Sequence, residues 1–323
     1  MCQLLALALI ATIYSLKKSY KMKKVTLLLA AFSTLLASCG GAATDSTGTD
    51  STGNKSTDAP AQETVAKPKA PAAEGPIRIL FVGNSHTEFY VSLPDLMTAI
   101  CKENGKEVVV EELVEMGVAI DEILAANKAK ADKSFAATDK DGNYYDYILL
   151  QEKTPVAVQE LDKYKANCKT LVDMAGKNSP GAAVYVYQLM SPVAYKDNVE
   201  EFKEYQNEIN KNAIAVAKSL PNAGVYRLGE AVADAYAGKN GYTFEEDGNE
   251  LLRHGQNSLH MLNDAGYMAS VLLYETIFGA VPKMPAQLPL STGTGDSDQA
   301  KLQDVATTIS NAEALNKIAD SYK

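Results

Sequence analysis

From residue 77 onward, the order of apolar and polar positions predicts five strands alternating with helices. "IRILFVG" (77–83), "EVVVEEL" (107–113), "YDYILLQ" (145–151), "AVYVYQL" (183–189) and "GVYRL" (224–228) are short β-rich runs followed by turn signals. The first, third and fourth are nearly unbroken apolar stretches, the pattern of strands covered on both faces. Between them, apolar residues recur at helical spacing over 92–104, 119–132, 160–177 and 199–220. They do so again over 264–279, after a long loop.

Alternation of this kind predicts parallel βαβ units in a three-layer α/β/α sandwich. Five strands fit a flavodoxin-like parallel sheet of order 2-1-3-4-5, in which the first and last helices share one face. Cys101 then lies on the first helix and Cys168 on the third, on opposite faces, so the two are expected to be unpaired. The domain is read as 77–287. The tail, 288–323, has a "STGTGDSD" linker and then helical spacing, which predicts a peripheral helix.

Residues 1–76 follow another pattern. Lys23 and Lys24, the apolar run "VTLLLAAFSTLL" and the small residues leading to Cys39 have the order of a secretory signal. Its ending resembles a lipoprotein signal with Cys39 as the lipidated residue. A second apolar run upstream of the lysines suggests that translation starts at Met22 rather than Met1. Residues 40–76 are rich in Ala, Thr, Ser, Gly, Asp, Pro and Lys, with "TDSTG" twice, a composition that builds no core. As a flexible tether of roughly 35 residues it would span ~35 Å. The expected location is the bacterial cell envelope, periplasm or outer membrane, with the membrane reached through the lipid at Cys39.

Net charge is -9, and no Lys/Arg-dense patch follows residue 77, which argues against nucleic acid as a partner. No Gly-x-Gly-x-x-Gly follows the first strand and no Walker loop exists, so no nucleotide cofactor is expected. "TDKDGNYYD" and "EEDGNE" lack calcium-loop spacing and read as turns. His254 has no Cys or His partner at metal-ligand spacing, so no metal is expected. Tyrosines 90, 195, 236, 242 and 267 could line a sugar-binding cleft, although scattered tyrosines more often pack half-buried.

Ligands of open parallel sheets bind beyond the carboxyl ends of the strands, where "GNSH" (83–86) falls. A serine at the start of the following helix would have backbone amides and a helix dipole suited to an oxyanion. Gly-Asn-Ser is equally good turn chemistry. A nucleophilic serine needs a base, and the sequence has three histidines: His86, His254 and His260. His86 adjoins Ser85, so its side chain is expected to diverge. The loop with His254 and His260 leads into the last helix, hence toward the same edge as Ser85.

Here the residues resemble a family. "ILFVGNSHT" is similar to the first block of the SGNH (GDSL-type) hydrolases, with Asn84 where that family usually has Asp. "NSLHMLNDAGYMAS" resembles its last block, Asp-x-x-His, and a bacterial lipoprotein branch with a strand ending in Leu-Gln-Glu looks similar. The resemblance covers most of residues 77–282 and implies the flavodoxin-like sheet. It implies Ser85 as nucleophile and His260 as general base. The Ser85 amide, Gly117 and the side-chain amide of Gln151 would line the oxyanion hole, with Asn84, Glu152 and His254 as supporting residues.

Asn257 stands where the triad Asp is expected. In a serine-protease triad, that replacement lowers kcat by about 10⁴. Three outcomes are open: orientation of His260 by Asn257 or a backbone carbonyl, rescue by Asp247, Glu152 or Asp264, or an inactive site. The expected function is serine-esterase hydrolysis without a cofactor, preferably of an O-acetylated carbohydrate, with lipid esters and thioesters open. The other reading is a noncatalytic glycan- or ligand-binding lipoprotein.

Overall fold

The computed structural model describes residues 65–71, 75–137, 144–254, 259–292 and 300–323, all within one compact unit, Pro60–Lys323. The leader with Cys39, most of the tether, and Asn257 lie outside the described residues.

Strands β1 (Ile77–Gly83), β2 (Val108–Val114), β3 (Tyr147–Leu150), β4 (Ala183–Tyr187) and β5 (Ala223–Tyr226) form one parallel sheet in the order β2-β1-β3-β4-β5. The expected fold class and strand order are therefore observed. In register, Val82 of β1 lies between Leu113 of β2 and Leu150 of β3. Their carboxyl ends thus share one rim.

Helix α1 (Leu93–Glu103) follows β1, and α2 (Ile120–Ala126) and α3 (Lys128–Ala136) follow β2. Next come α4 (Thr154–Gln159) and α5 (Leu161–Ala175) after β3, and α6 (Val199–Lys218) after β4. After β5 come α7 (Leu228–Tyr236), a small hairpin of β6 (Glu245–Glu246) and β7 (Asn249–Glu250), and α8 (Asn263–Phe278). α1 packs with α8, while α2, α5 and α6 pack in series. Cys101 on α1 and Cys168 on α5 are buried and free, as expected.

The differences from the sequence pattern have local causes. The helix expected over 119–132 breaks at Asn127, whose side chain donates to Glu115 Oε2 at 3.1 Å, fixing a non-helical turn. α4 starts ahead of the helix expected over 160–177 because Pro155, in the first turn, is preset for a helix start. α7 starts at Leu228, which the apolar pattern assigns to the fifth strand, and occupies part of the span expected as a long loop.

The tail is also corrected. Every residue of α8 from Asp264 to Ile277 is buried, and a helix covered all round needs partners beyond the sheet. β8 (Gln287–Leu290) pairs antiparallel with β9 (Lys301–Asp304), followed by α9 (Val305–Thr308) and α10 (Ala312–Asp320). α10 lays Leu315 and Ile318 against α8, so the tail completes the core rather than decorating it. The tether reading also ends early. Lys69 N–H donates to Asn222 Oδ1 and Lys69 C=O accepts from Asn222 Nδ2, both at 2.9 Å, and Pro68 lies against Gly224 of the edge strand β5.

Removing Leu315, a fully buried side chain, by Leu315→Ala should destabilise the domain by about 2–5 kcal/mol. The expected reading is a lower urea midpoint with an unchanged slope. A midpoint equal to wild type would show the tail to be dispensable.

Candidate active site

β1 delivers the chain to the rim at Gly83, where the next residues turn sharply. Asn84 C=O accepts from Thr87 N–H at 2.8 Å, closing a turn through Ser85 and His86. α1 begins only at Leu93, capped by Ser92 Oγ accepting from Asp95 N–H and started by Pro94. Ser85 is therefore on a turn and not at a helix N-terminus, so the helix-dipole argument does not apply to it.

The turn is held from β3. Gln151 Oε1 accepts from Asn84 N–H at 2.7 Å and from Thr87 Oγ1 at 3.1 Å, while Gln151 Nε2 donates to Glu152 C=O at 2.5 Å. This proximity explains Gly83: a Cβ there would fall 2.3 Å from Thr87 Oγ1 and 2.6 Å from Gln151 Oε1. Gln151 is only 1 % exposed. The oxyanion role expected for its amide is replaced by a bracing role, because the carboxamide faces the turn and is sealed from solvent.

The β2–α2 loop is tied to the same turn. Asn84 Nδ2 donates to Val118 C=O at 2.9 Å, and Glu115 N–H donates to Gly83 C=O at 3.0 Å. Gly117 sits in this loop, exposed, at φ +74°, a left-handed conformation suited to glycine. The N–H groups of Ser85 and Gly117, and Ser85 Oγ, have no hydrogen-bond partner among the described residues.

His260 comes from the far end of the domain. Leu252–His254 pairs antiparallel with His260–Leu262: Arg253 bridges Met261, Leu262 N–H donates to Leu252 C=O at 3.0 Å and His254 N–H to His260 C=O at 3.2 Å. The ladder brings the His260 ring to 4.4 Å from the Phe89 ring and 5.7 Å from the His86 ring. It thus lies beside the Ser85 turn. His254 stacks on Tyr90 at 3.9 Å, joining the ladder to the loop that follows Ser85. Tyr90 is thus the one of the five candidate tyrosines with a ring contact to His260, at 5.7 Å edge-on.

Of the two histidines nearest the turn, His260 suits a general base better than His86. His86 is 6 % exposed with its Nε2 3.0 Å from Thr154 Oγ1, and burial, then His260 and Arg253, pushes it down to about 3. It is a neutral structural neighbour. His260 is half-buried, and burial followed by repulsion from His254 lowers it below its ordinary value. A neutral imidazole beside a serine hydroxyl is the state a base requires.

Of the carboxylates expected as substitutes for the triad Asp, Glu152 and Asp264 are engaged elsewhere. Glu152, fully buried, accepts from Ile120 N–H, Lys153 N–H and Asn167 Nδ2, and so pins β3 to α2 and α5. Burial nevertheless raises its pKa. Asp264 accepts from Tyr242 Oη at 2.8 Å and from Ser310, toward the tail. Asp247 lies exposed at the turn between β6 and β7.

Arg253 was not anticipated. It is 0 % exposed, and its Nη2 donates to Ser191 C=O at 2.6 Å. Gln206 of α6 holds that loop through Ser191 N–H and Leu189 C=O, both at 2.8 Å. The ladder carrying His260 is therefore anchored beyond β4. An arginine beside an apolar run gave no sign of this, since its anchor is 62 residues away in sequence.

No family model matches the sequence, and no curated protein matches it. Among solved structures, the chain is similar to a DUF4886 family protein from Bacteroides uniformis, at 14% identity and a TM-score of 0.53, over 76% of this chain and 94% of that one. It is also similar to a protein assigned to the SGNH hydrolases from Slackia heliotrinireducens, at 16% identity and a TM-score of 0.47, over 63% and 100%. A member of the lipolytic G-D-S-L family from Veillonella parvula matches at 14% identity and a TM-score of 0.42, over 64% and 100%. At such identities the likeness is one of fold.

If His260 acts as a neutral base, the acid limb of kcat/KM should lie below the ordinary imidazole value of 6.5. His254→Gln removes the second cause of that lowering. The limb should then move up in pH without passing 6.5, because burial persists. An unmoved limb in a kcat/KM profile would remove His254 from the electrostatics of the site.

Proposed function

We propose that the domain is a serine esterase of the SGNH type. The observation that carries this is the unpartnered Ser85 hydroxyl on a braced turn at the rim of the sheet, with half-buried His260 beside the same turn. Ser85 Oγ attacks the ester carbonyl as His260 takes its proton. The carbonyl oxygen becomes an oxyanion, stabilised by the free N–H groups of Ser85 and Gly117. Collapse expels the alcohol, protonated by His260, and leaves an acyl group on Ser85. Water, giving its proton to His260, then releases the acid and restores Ser85. Gln151 contributes by holding the turn that presents the Ser85 N–H.

We take the preferred substrate class to be O-acetylated carbohydrate, since the domain would act outside the cytoplasm on a tether lipidated at Cys39. The Tyr90–His254 stack beside His260 supplies a flat aromatic surface compatible with a sugar ring. Lipid esters and thioesters are the other classes with the same chemistry. One observation favours a second reading, a noncatalytic glycan-binding lipoprotein: Asn257 in place of the acid that orients the histidine.

A fluorophosphonate probe should label the purified protein on Ser85, and Ser85→Ala should abolish labelling. Equal labelling of the variant would sink the esterase reading. Asn257→Asp distinguishes an impaired site from a tuned one. A gain of orders of magnitude in ester hydrolysis, up to about 10⁴-fold, is expected if the native histidine lacks an orienting acid. No gain would show that His260 is already well oriented.

A further inference from the structure

A cavity of ≈ 130 Å³ lies along the edge strand β5, between the segment beginning at Val65 and the C-terminal residues Tyr322 and Lys323. Some of its polar lining groups have no partner among the described residues. Gln188 is 0 % exposed; its Oε1 accepts from Glu230 N–H at 3.4 Å, while its Nε2 has no partner. Thr276, 4 % exposed, has an equally unpartnered hydroxyl. Arg227 directs Nε to Glu230 at 2.5 Å and lies over the Tyr322 ring at 4.7 Å, and its terminal nitrogens meet no acceptor among the described residues. No Asp or Glu side chain lines the cavity.

Buried polar groups are almost always satisfied, so two orphaned groups facing one cavity call for an occupant with acceptor oxygens. Charge narrows the class. Arg227 is paired with Glu230 and Lys323 with Asp320, whereas Lys67 has no ion pair among the described residues. Lys67, Arg227 and Lys323 on one lining favour an anion over a neutral or cationic ligand. The remaining walls are apolar, formed by Val65, Val225 and the Tyr185 and Tyr322 rings. The size is comparable to that of an engineered cavity of roughly 150 Å³ that takes benzene.

We propose that this cavity is a binding site for a small organic carboxylate with an apolar or aromatic body. Its carboxylate accepts from Gln188 Nε2, Thr276 Oγ1 and the free end of Arg227, and Lys67 closes over it from the N-terminal segment. The site is separate from Ser85, so it stands or falls independently of the esterase reading.

Calorimetric titration of the intact protein with benzoate, butyrate and inorganic phosphate tests it. Saturable binding of benzoate or butyrate is expected, with phosphate much weaker. Lys67→Met, an exposed change that leaves the core intact, and Gln188→Glu, which turns the donor into a repelling acceptor, should each weaken binding about tenfold or more. Ser85→Ala should leave binding unchanged. The proposal is overturned if no carboxylate saturates, if phosphate binds more tightly than either, if the Lys67 variant binds normally, or if blocking Ser85 abolishes binding, which would place the ligand in the catalytic cleft.

Discussion

The hydrogen bond from the N–H of Asn84 to Oε1 of Gln151, at 2.7 Å, is the centre of the network that holds the Ser85 turn at the rim of the sheet. A parallel strand that ends at a sheet rim leaves backbone groups that the ladder no longer satisfies. Here a side chain from the neighbouring strand takes over, and it fits only because Gly83 has no Cβ. The bond crosses the crevice between β1 and β3, where the strand order reverses. Asn84 then passes the constraint on to the β2–α2 loop through Val118. Ser85 and Gly117 are consequently carried by backbone fixed from three strands.

The histidine side of the site rests on a different kind of anchor. His260 sits on a short ladder whose partner segment is secured by Arg253, a buried guanidinium bonded to Ser191 C=O. Two of its other nitrogens have no partner among the described residues, an arrangement that makes the anchor sensitive to substitution. The Tyr90–His254 stack adds a second attachment, to the loop that follows Ser85. Two segments more than 150 residues apart are thereby held in register by contacts that belong to neither strand nor helix.

α8 imposes the remaining requirement. Its burial on every side obliges the chain after residue 287 to return and cover it, through the β8–β9 pair and α10. Asn263 fastens the start of α8 to Ser291 by two hydrogen bonds, of 2.9 and 3.0 Å, so the tail also steadies the helix that follows His260. At the opposite edge, the Val65–Pro71 segment lies against β5, covering an edge strand that would otherwise offer unpaired backbone groups.

The amino-acid sequence by itself determined the layers: unbroken apolar strands and amphipathic helices have periods of 2 and 3.6 residues that are legible without any long-range information. A serine in a turn after a buried strand and two histidines just before a buried helix are local patterns it also displays, while the preference for His260 over His254 came from the family resemblance. It misplaced Gln151, since type and position show an amide but not which way its oxygen faces. It did not reveal Arg253, whose burial depends on Ser191. The tail looked peripheral because its amphipathic spacing gives no measure of how completely α8 needs covering. Those features were decided by tertiary structure alone, for they follow from what distant residues bring to the same place.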